Sequence, residues 1–190
     1  RGELSRQIYD ILRHYTRLGW WIEKKGHAIT PRLRVLAYLR LTQKSSPSDI
    51  GQLFNGSKYA AAALNETEEK FVRQMKGHTL FHPEMAEEIA CECPEWAAES
   101  LKARFKRRFK KEMESLLEPA PLDLRINPLK TTREEALAHL KELDLAVTET
   151  PYSPYGLRVK NRPALGQIKM LKEGAIEIQD EGSQLIAFLM

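Results

Sequence analysis

Apolar residues recur three and four positions apart through the first 117 residues and two apart soon after, a change of period that predicts helices first and strands later. Leu4, Ile8, Ile11, Leu12, Tyr15 and Leu18 draw the stripe of an amphipathic helix with one buried face, and Arg6, Arg13 and Arg17 take its other sides. Gly19 precedes Trp20 and Trp21. Thr30 and Pro31 then supply a cap and a first-turn proline for a second helix carrying Leu33, Val35, Leu36, Leu39 and Leu41, kept basic by Arg32, Arg34 and Arg40. Turn formers from Gln43 to Ser57 predict a connecting loop. Good helix formers at Ala60 to Ala63 and Glu66 to Met75 predict two short helices. His82-Pro83 opens an acidic helix through Ala90, and Pro94 leads Trp96 and Leu101 into a long helix ending near Leu117.

Two prolines in Glu118-Pro119-Ala120-Pro121 stop that helix and mark a domain boundary. Leu122, Leu124 and Ile126 then alternate with Asp123, Arg125 and Asn127, the pattern of a strand with one buried and one polar face. Thr131, Thr132, Glu134 and Glu135 hold overlapping capping boxes for a helix carrying Leu137, Leu140 and Leu143. Short strands are predicted at Leu145 to Thr148, Gly156 to Lys160 and Ala175 to Gln179, with turns at Pro151 to Tyr155 and Asn161 to Pro163. The fold class is therefore α+β: an all-helical region over 1–117, a small sheet-and-helix unit over 122–180, and 181–190 as the first helix of a further domain. That last helix carries Leu185 to Met190, apolar nearly all round, with nothing left in the chain to bury it. The chain is thus expected to stop at the entrance of that domain, and Arg1, with no methionine before it, reads as a second boundary.

Composition narrows the class. A hydrophobic content of 42% over 190 residues suffices for packed cores, and no run approaches the roughly 20 apolar residues of a membrane-spanning helix. The first thirty residues lack the apolar core of a signal peptide, so a soluble cytoplasmic protein is expected. Cys91 and Cys93, one residue apart, make no disulfide framework. Charge is segregated: residues 1–44 hold ten Lys/Arg against three Asp/Glu, 66–99 three against nine, and 100–111 seven against none. Two basic blocks thus flank an acidic one, a distribution that suits phosphate binding if the cations share a face and means little if they are scattered.

Arg125 and Asn127, two apart on a strand, project from one face. A guanidinium beside a carboxamide suits a phosphate together with a base edge or ribose hydroxyl, and Lys130 adds a further cation; polar residues on an open sheet face would look the same. The basic run from Lys102 to Lys111 interleaves Phe105 and Phe109, whose four-residue spacing aligns with Leu101 and Met113 and turns both rings inward. Its cations are either a solvated surface or a contact for a polyanionic backbone. Trp20, Trp21 and Trp96, near helix ends, are read as core, and Tyr152 and Tyr155 as a packed turn with stacking on a nucleotide the alternative. His78, His82, Cys91 and Cys93 contain the donor types of a zinc site, but one residue between the cysteines is too short for the usual knuckle, so no metal is expected. The neighbouring glutamates push the thiols away from reactivity.

Three segments carry a family resemblance: Leu122-Asp123-Leu124-Arg125-Ile126-Asn127-Pro128-Leu129-Lys130, Tyr155-Gly156-Leu157-Arg158, and Gly174 through Gln179-Asp180-Glu181-Gly182-Ser183-Gln184. In order and spacing they resemble the region preceding the catalytic domain in the Nop/Sun (Fmu) family of RNA cytosine-C5 methyltransferases, over about residues 94–190. The helices before it are similar, more loosely, to the antitermination-factor-like domain at the front of some bacterial members. The resemblance implies a unit like an RNA-recognition motif in which Arg125 and Asn127 form the family's Arg-x-Asn motif and help hold substrate RNA. Lys130, Arg158, Lys106, Arg107, Arg108 and Lys110 join them as expected RNA contacts. It further implies that Gln179, Asp180 and Ser183 stand at the junction with an S-adenosylmethionine-binding domain.

Two cysteines in Pro-Cys and Thr-Cys motifs do the family's chemistry, and neither motif occurs in this sequence, nor does the Gly-rich cofactor loop. The chain is accordingly expected to have no catalytic residue, to bind no cofactor alone, and to position RNA, ribosomal RNA as the resemblance implies, for a methylating domain. A stand-alone RNA-binding or antitermination-like module and a helical protein-interaction domain are the alternatives. The sheet unit lacks the aromatic stacking motif of ordinary RNA-recognition motifs.

Overall fold

A computed structural model describes residues 2–160, 163 and 165–189, so Arg1, Met190 and most of the turn expected at Asn161 to Pro163 lie outside the described residues. The chain divides into two compact units, Arg1–Glu118 and Pro119–Met190. Helices come first and an antiparallel sheet second, the α+β arrangement expected from the periodicities.

The first apolar stripe makes two helices, α1 (Gly2–Arg13) and α2 (Tyr15–Lys24), separated by His14 at φ −119°, ψ 19°. The α2 helix starts afresh because the Glu92 carboxylate caps it from a distance, accepting the Thr16 and Arg17 amides at 2.7 and 3.0 Å and Arg17 Nε at 2.9 Å. Glu92 itself sits at φ 55°, a left-handed conformation that these three hydrogen bonds secure. The stripe is also less buried than its spacing predicts: Leu18 is in the core, whereas Leu4, Ile8, Leu12 and Tyr15 are exposed. Gly19 lies inside α2, which runs on through both tryptophans.

Helix α3 (Pro31–Leu41) begins as expected, with Thr30 accepting the Leu33 amide at 3.1 Å. Three expectations fail in the next stretch. Pro47–Leu53 is a helix, α4, within the expected loop, because Ser46 and Asp49 form a capping box ahead of a first-turn proline. Residues 60–63 are not helical: Arg32 Nη2 takes the Ala62 and Ala63 carbonyls at 2.6 and 3.2 Å, and the Gly56 amide takes that of Ala61. After α5 (Glu66–Gln74), capped by Asn65 and Glu68, only α6 (Glu87–Ala90) is helical in the His82 to Ala90 segment, since residues 83–84 form a turn.

Leu18, Trp21, Ile22, Leu36, Tyr38, Ile50, Phe71 and Met75 build the main core of this unit, where Trp21 Nε1 donates to the Leu80 carbonyl at 3.1 Å. The long helix expected up to Leu117 is broken into α7 (Glu95–Phe105) and α8 (Phe109–Leu117) by a 3₁₀ turn at Lys106–Arg108, with Lys106 at φ 48°. Phe105 and Phe109 still turn inward, joining Cys91, Cys93, Leu101 and Met113 in a second cluster. Trp96, in the first turn of α7, is 87% exposed and is not core.

The second unit runs β1 (Leu122–Ile126), α9 (Arg133–Glu142), β2 (Val147–Glu149), β3 (Gly156–Val159), α10 (Lys169–Lys172), β4 (Ile176–Ile178) and α11 (Glu181–Ile186). The described strands form one antiparallel sheet in the order β2-β3-β1-β4, which with α9 between β1 and β2 and α10 between β3 and β4 is the split β-α-β arrangement of ferredoxin-like folds. Leu124, Ile126, Leu157, Val159 and Ile176 face α9, whose Ala136 and Leu140 complete the core. Thr132 and Glu135 realise the expected capping box. The buried residues of α11 are polar, Glu181 and Gln184, while Ile186, Phe188 and Leu189 are exposed. Among the described residues no helix is long and apolar enough to cross a membrane.

Candidate functional site

The sheet face opposite α9 carries Asp123 and Arg125 from β1, Arg158 from β3 and Glu177 from β4, fixed by the pairings of Asp123 with Arg158 and of Arg125 with Gly156 and Glu177. Alternation predicts solvent for all of them. Asp123 is instead 3% exposed, because the segment 179–184 crosses over it. The Gln179 amide donates to the Asp123 carbonyl at 3.1 Å, and the Glu181 amide to Asp123 Oδ2 at 3.2 Å. Arg158 forks onto the same carboxylate, Nε to Oδ1 at 2.7 Å and Nη2 to Oδ2 at 2.8 Å, and reaches Glu181 Oε2 at 3.6 Å.

Glu181 in turn accepts the backbone amides of Tyr152 and Ser153 at 2.6 and 2.8 Å. Burial alone would raise its carboxyl, yet those amides, the Thr150 hydroxyl and the Arg158 charge hold it below the usual carboxylate range. Arg158 is pushed up in turn, chiefly by its hydrogen bonds to Asp123. Gln184 closes the node, accepting the Ser153 hydroxyl at 2.7 Å and donating to the Gln179 carbonyl at 2.9 Å. Gly156 is required underneath: a Cβ there would lie 2.0 Å from Thr150 Oγ1 and 3.1 Å from Gln184 Oε1.

The expected contact residues of this unit differ in what remains open to a ligand. Arg158 is committed to two carboxylates. Asn127 accepts the Leu129 amide at 3.1 Å and donates to the Gly174 carbonyl at 3.3 Å, so it shapes the turn after β1. Lys130 Nζ donates to the Glu173 carbonyl at 2.5 Å. Arg125, half-buried, has one long bond among the described residues, Nη1 to Gln179 Oε1 at 3.4 Å, and is the arginine of this face with donors to spare. Asp180 is the N-cap of α11, accepting the Ser183 amide at 3.0 Å and bonding its hydroxyl, and these two bonds lower its carboxyl. Ser183 is thus engaged in the cap.

Reading by sequence missed Asp123, Ser153, Glu181 and Gln184, which hold the node together. The available signal was the Asp180-x-x-Ser183 cap: a helix starting at 181 turns Glu181 and Gln184 to one side.

The basic residues expected to contribute lie in the first unit. Lys106 and Arg107 are exposed on the 3₁₀ turn with no ion pair among the described residues, whereas Arg108 and Lys110 stand 3.5 and 3.9 Å from Glu112 and Glu114. His78 and His82 ring Trp21 at centroid distances of 4.5 and 5.2 Å, and the cysteines belong to the Phe109 cluster. No group of three or more potential ligands that could hold a metal occurs among the described residues. Burial raises both thiols, and nearby glutamates add to it.

Comparison with known proteins places these features. Residues 93–165 match the family described as "Methyltr_RsmF/B-like, ferredoxin-like domain". A "Probable ribosomal RNA small subunit methyltransferase B" from Synechocystis sp. is 36% identical over 102 residues, 51% of this chain and 22% of that protein. The crystal structure of PH0851 is similar at a TM-score of 0.73 with 20% identity, over 98% of this chain and 46% of that one, a likeness of fold. The chain thus spans less than half the length of either.

Proposed function

We propose that this chain, whose residues 93–165 match the RsmF/B-like ferredoxin-like domain, is the RNA-positioning part of an S-adenosylmethionine-dependent RNA cytosine-C5 methyltransferase of the Nop/Sun family acting on ribosomal RNA. The observation that carries this reading is the contrast between two arginines of one sheet face. Arg158 is consumed by Asp123 and Glu181, and the node they build leaves Arg125 beside it with a single 3.4 Å bond among the described residues. A guanidinium without an ion pair among the described residues is suited to a phosphate, which it meets with two parallel N–H donors. Lys106 and Arg107 supply further cations without ion pairs among the described residues.

The residues described do not fit S-adenosylmethionine. That cofactor is cradled where a parallel strand turns through glycines into a helix, and the sheet here is antiparallel throughout, with Gly156 filled from above by Thr150 and Gln184. No chemical step is therefore assigned to this chain, whose part is orientation and affinity.

The test is RNA binding by Arg125→Ala. Affinity of the 190-residue chain for a small-subunit ribosomal RNA fragment should fall by about tenfold, with a shallower salt dependence and an unchanged unfolding curve. Wild-type affinity in that variant would remove Arg125 from the interface.

A further inference from the structure

Arg34 lies just past the first turn of α3, 7% exposed, and its Nε is buried with no hydrogen-bond partner among the described residues. Its guanidinium makes no ion pair among the described residues and lies over the ring of Tyr15, 3.4 Å from the centroid. A buried arginine is ordinarily paired, because the desolvation of the ion must be offset by an anion and by full use of its donors. Stacking on Tyr15 replaces only part of that. The cation faces a cavity of about 230 Å³, walled by Trp20, Ile29 and Ile89 and with Glu23 also in its lining. Gly19 makes the room: a Cβ there would stand 3.2 Å from Arg34 Nη2 and 3.3 Å from Ile29 Cδ1.

We propose that this cavity is a binding site for a monocarboxylate carried on an apolar body. A single guanidinium balances a single charge, and its fork matches the two oxygens of a carboxylate. The apolar walls accept the body of the ligand. A phosphate dianion would bring a second negative charge against Glu23, with no second cation in the lining to meet it. The carboxylate belongs either to a small aryl or alkyl acid or to the end of a polypeptide; the chemistry recognised is the same.

The probe is 3-phenylpropionate, titrated into the 190-residue chain while the Arg34 Nε–Hε resonance is followed by NMR, with 3-phenylpropionamide and inorganic phosphate in parallel. A saturable shift is expected from the acid, with at least about tenfold weaker binding of the amide and of phosphate. Arg34→Met should abolish the response, and Gly19→Ala, which keeps the arginine but narrows the cavity, should weaken it. N-acetyl-leucyl-leucine binding more tightly than 3-phenylpropionate identifies a polypeptide end as the source, and the reverse order a free acid. No saturable shift from either acid, equal binding of the amide, or tighter binding of phosphate would each overturn the proposal; these comparisons within the native chain decide it even if Arg34→Met does not fold.

Discussion

Two arginines on one sheet face, Arg125 and Arg158, have the same chemistry and opposite environments, and substitutions should separate them. Arg158→Ala leaves Asp123, 3% exposed, with a buried uncompensated charge and should cost about 3 kcal/mol of stability, measured by urea unfolding. Arg125→Ala removes one long hydrogen bond and should change stability by less than about 0.5 kcal/mol. Glu181 gives a pH signature. Its folded carboxyl is held below the usual range, so its contribution is fully present above the unfolded value of about 4.3 and is lost as pH falls through the lower folded value. Acid should therefore destabilise the second unit below about pH 4.3, and Glu181→Gln should flatten that part of the stability profile; a parallel profile in the variant would show that other carboxylates set it. Alternation made the core side of β1 legible, Leu124 and Ile126, but it misplaced Asp123 in solvent. The covering segment is 56 residues away in sequence at Gln179, a distance over which a local pattern carries no information.

Elements were legible where their ends carry their own chemistry. Thr132 with Glu135 and Thr30 with Pro31 are local signals, and both helices start where those residues say. Thr132→Ala should accordingly cost about 1 kcal/mol by thermal or urea unfolding. Ser46-Pro47-Ser48-Asp49 carried the same kind of signal and was masked by the turn formers around it. The starts of α2 and the break before α8 were beyond local reading. The first depends on Glu92 reaching Thr16 and Arg17 across the fold, and the second on Lys106 adopting a left-handed conformation inside a run of good helix formers. Glu92→Ala should therefore lower stability by about 2 kcal/mol, beyond a local cap, because it releases two helix-end amides and the Arg17 guanidinium together. A change within about 0.5 kcal/mol would mean that water replaces the carboxylate at no cost.

At the scale of the molecule, a helical unit and a ferredoxin-like unit each have their own core, and the family match reaches from the end of one into most of the other, residues 93–165. Net charge of +4 understates the local excess of cations, since residues 1–44 hold ten Lys/Arg against three Asp/Glu and residues 100–111 seven against none. RNA binding is the claim on which the functional account rests, and the salt dependence of that binding tests it most directly. Affinity of the unaltered chain for an unmodified small-subunit ribosomal RNA fragment should fall with salt, with a slope of log K against log salt of about −2 or steeper, the release expected for three or more phosphate contacts on single strands. A slope near zero, or no binding at low salt, would contradict the account and leave the helical unit as a protein-interaction domain.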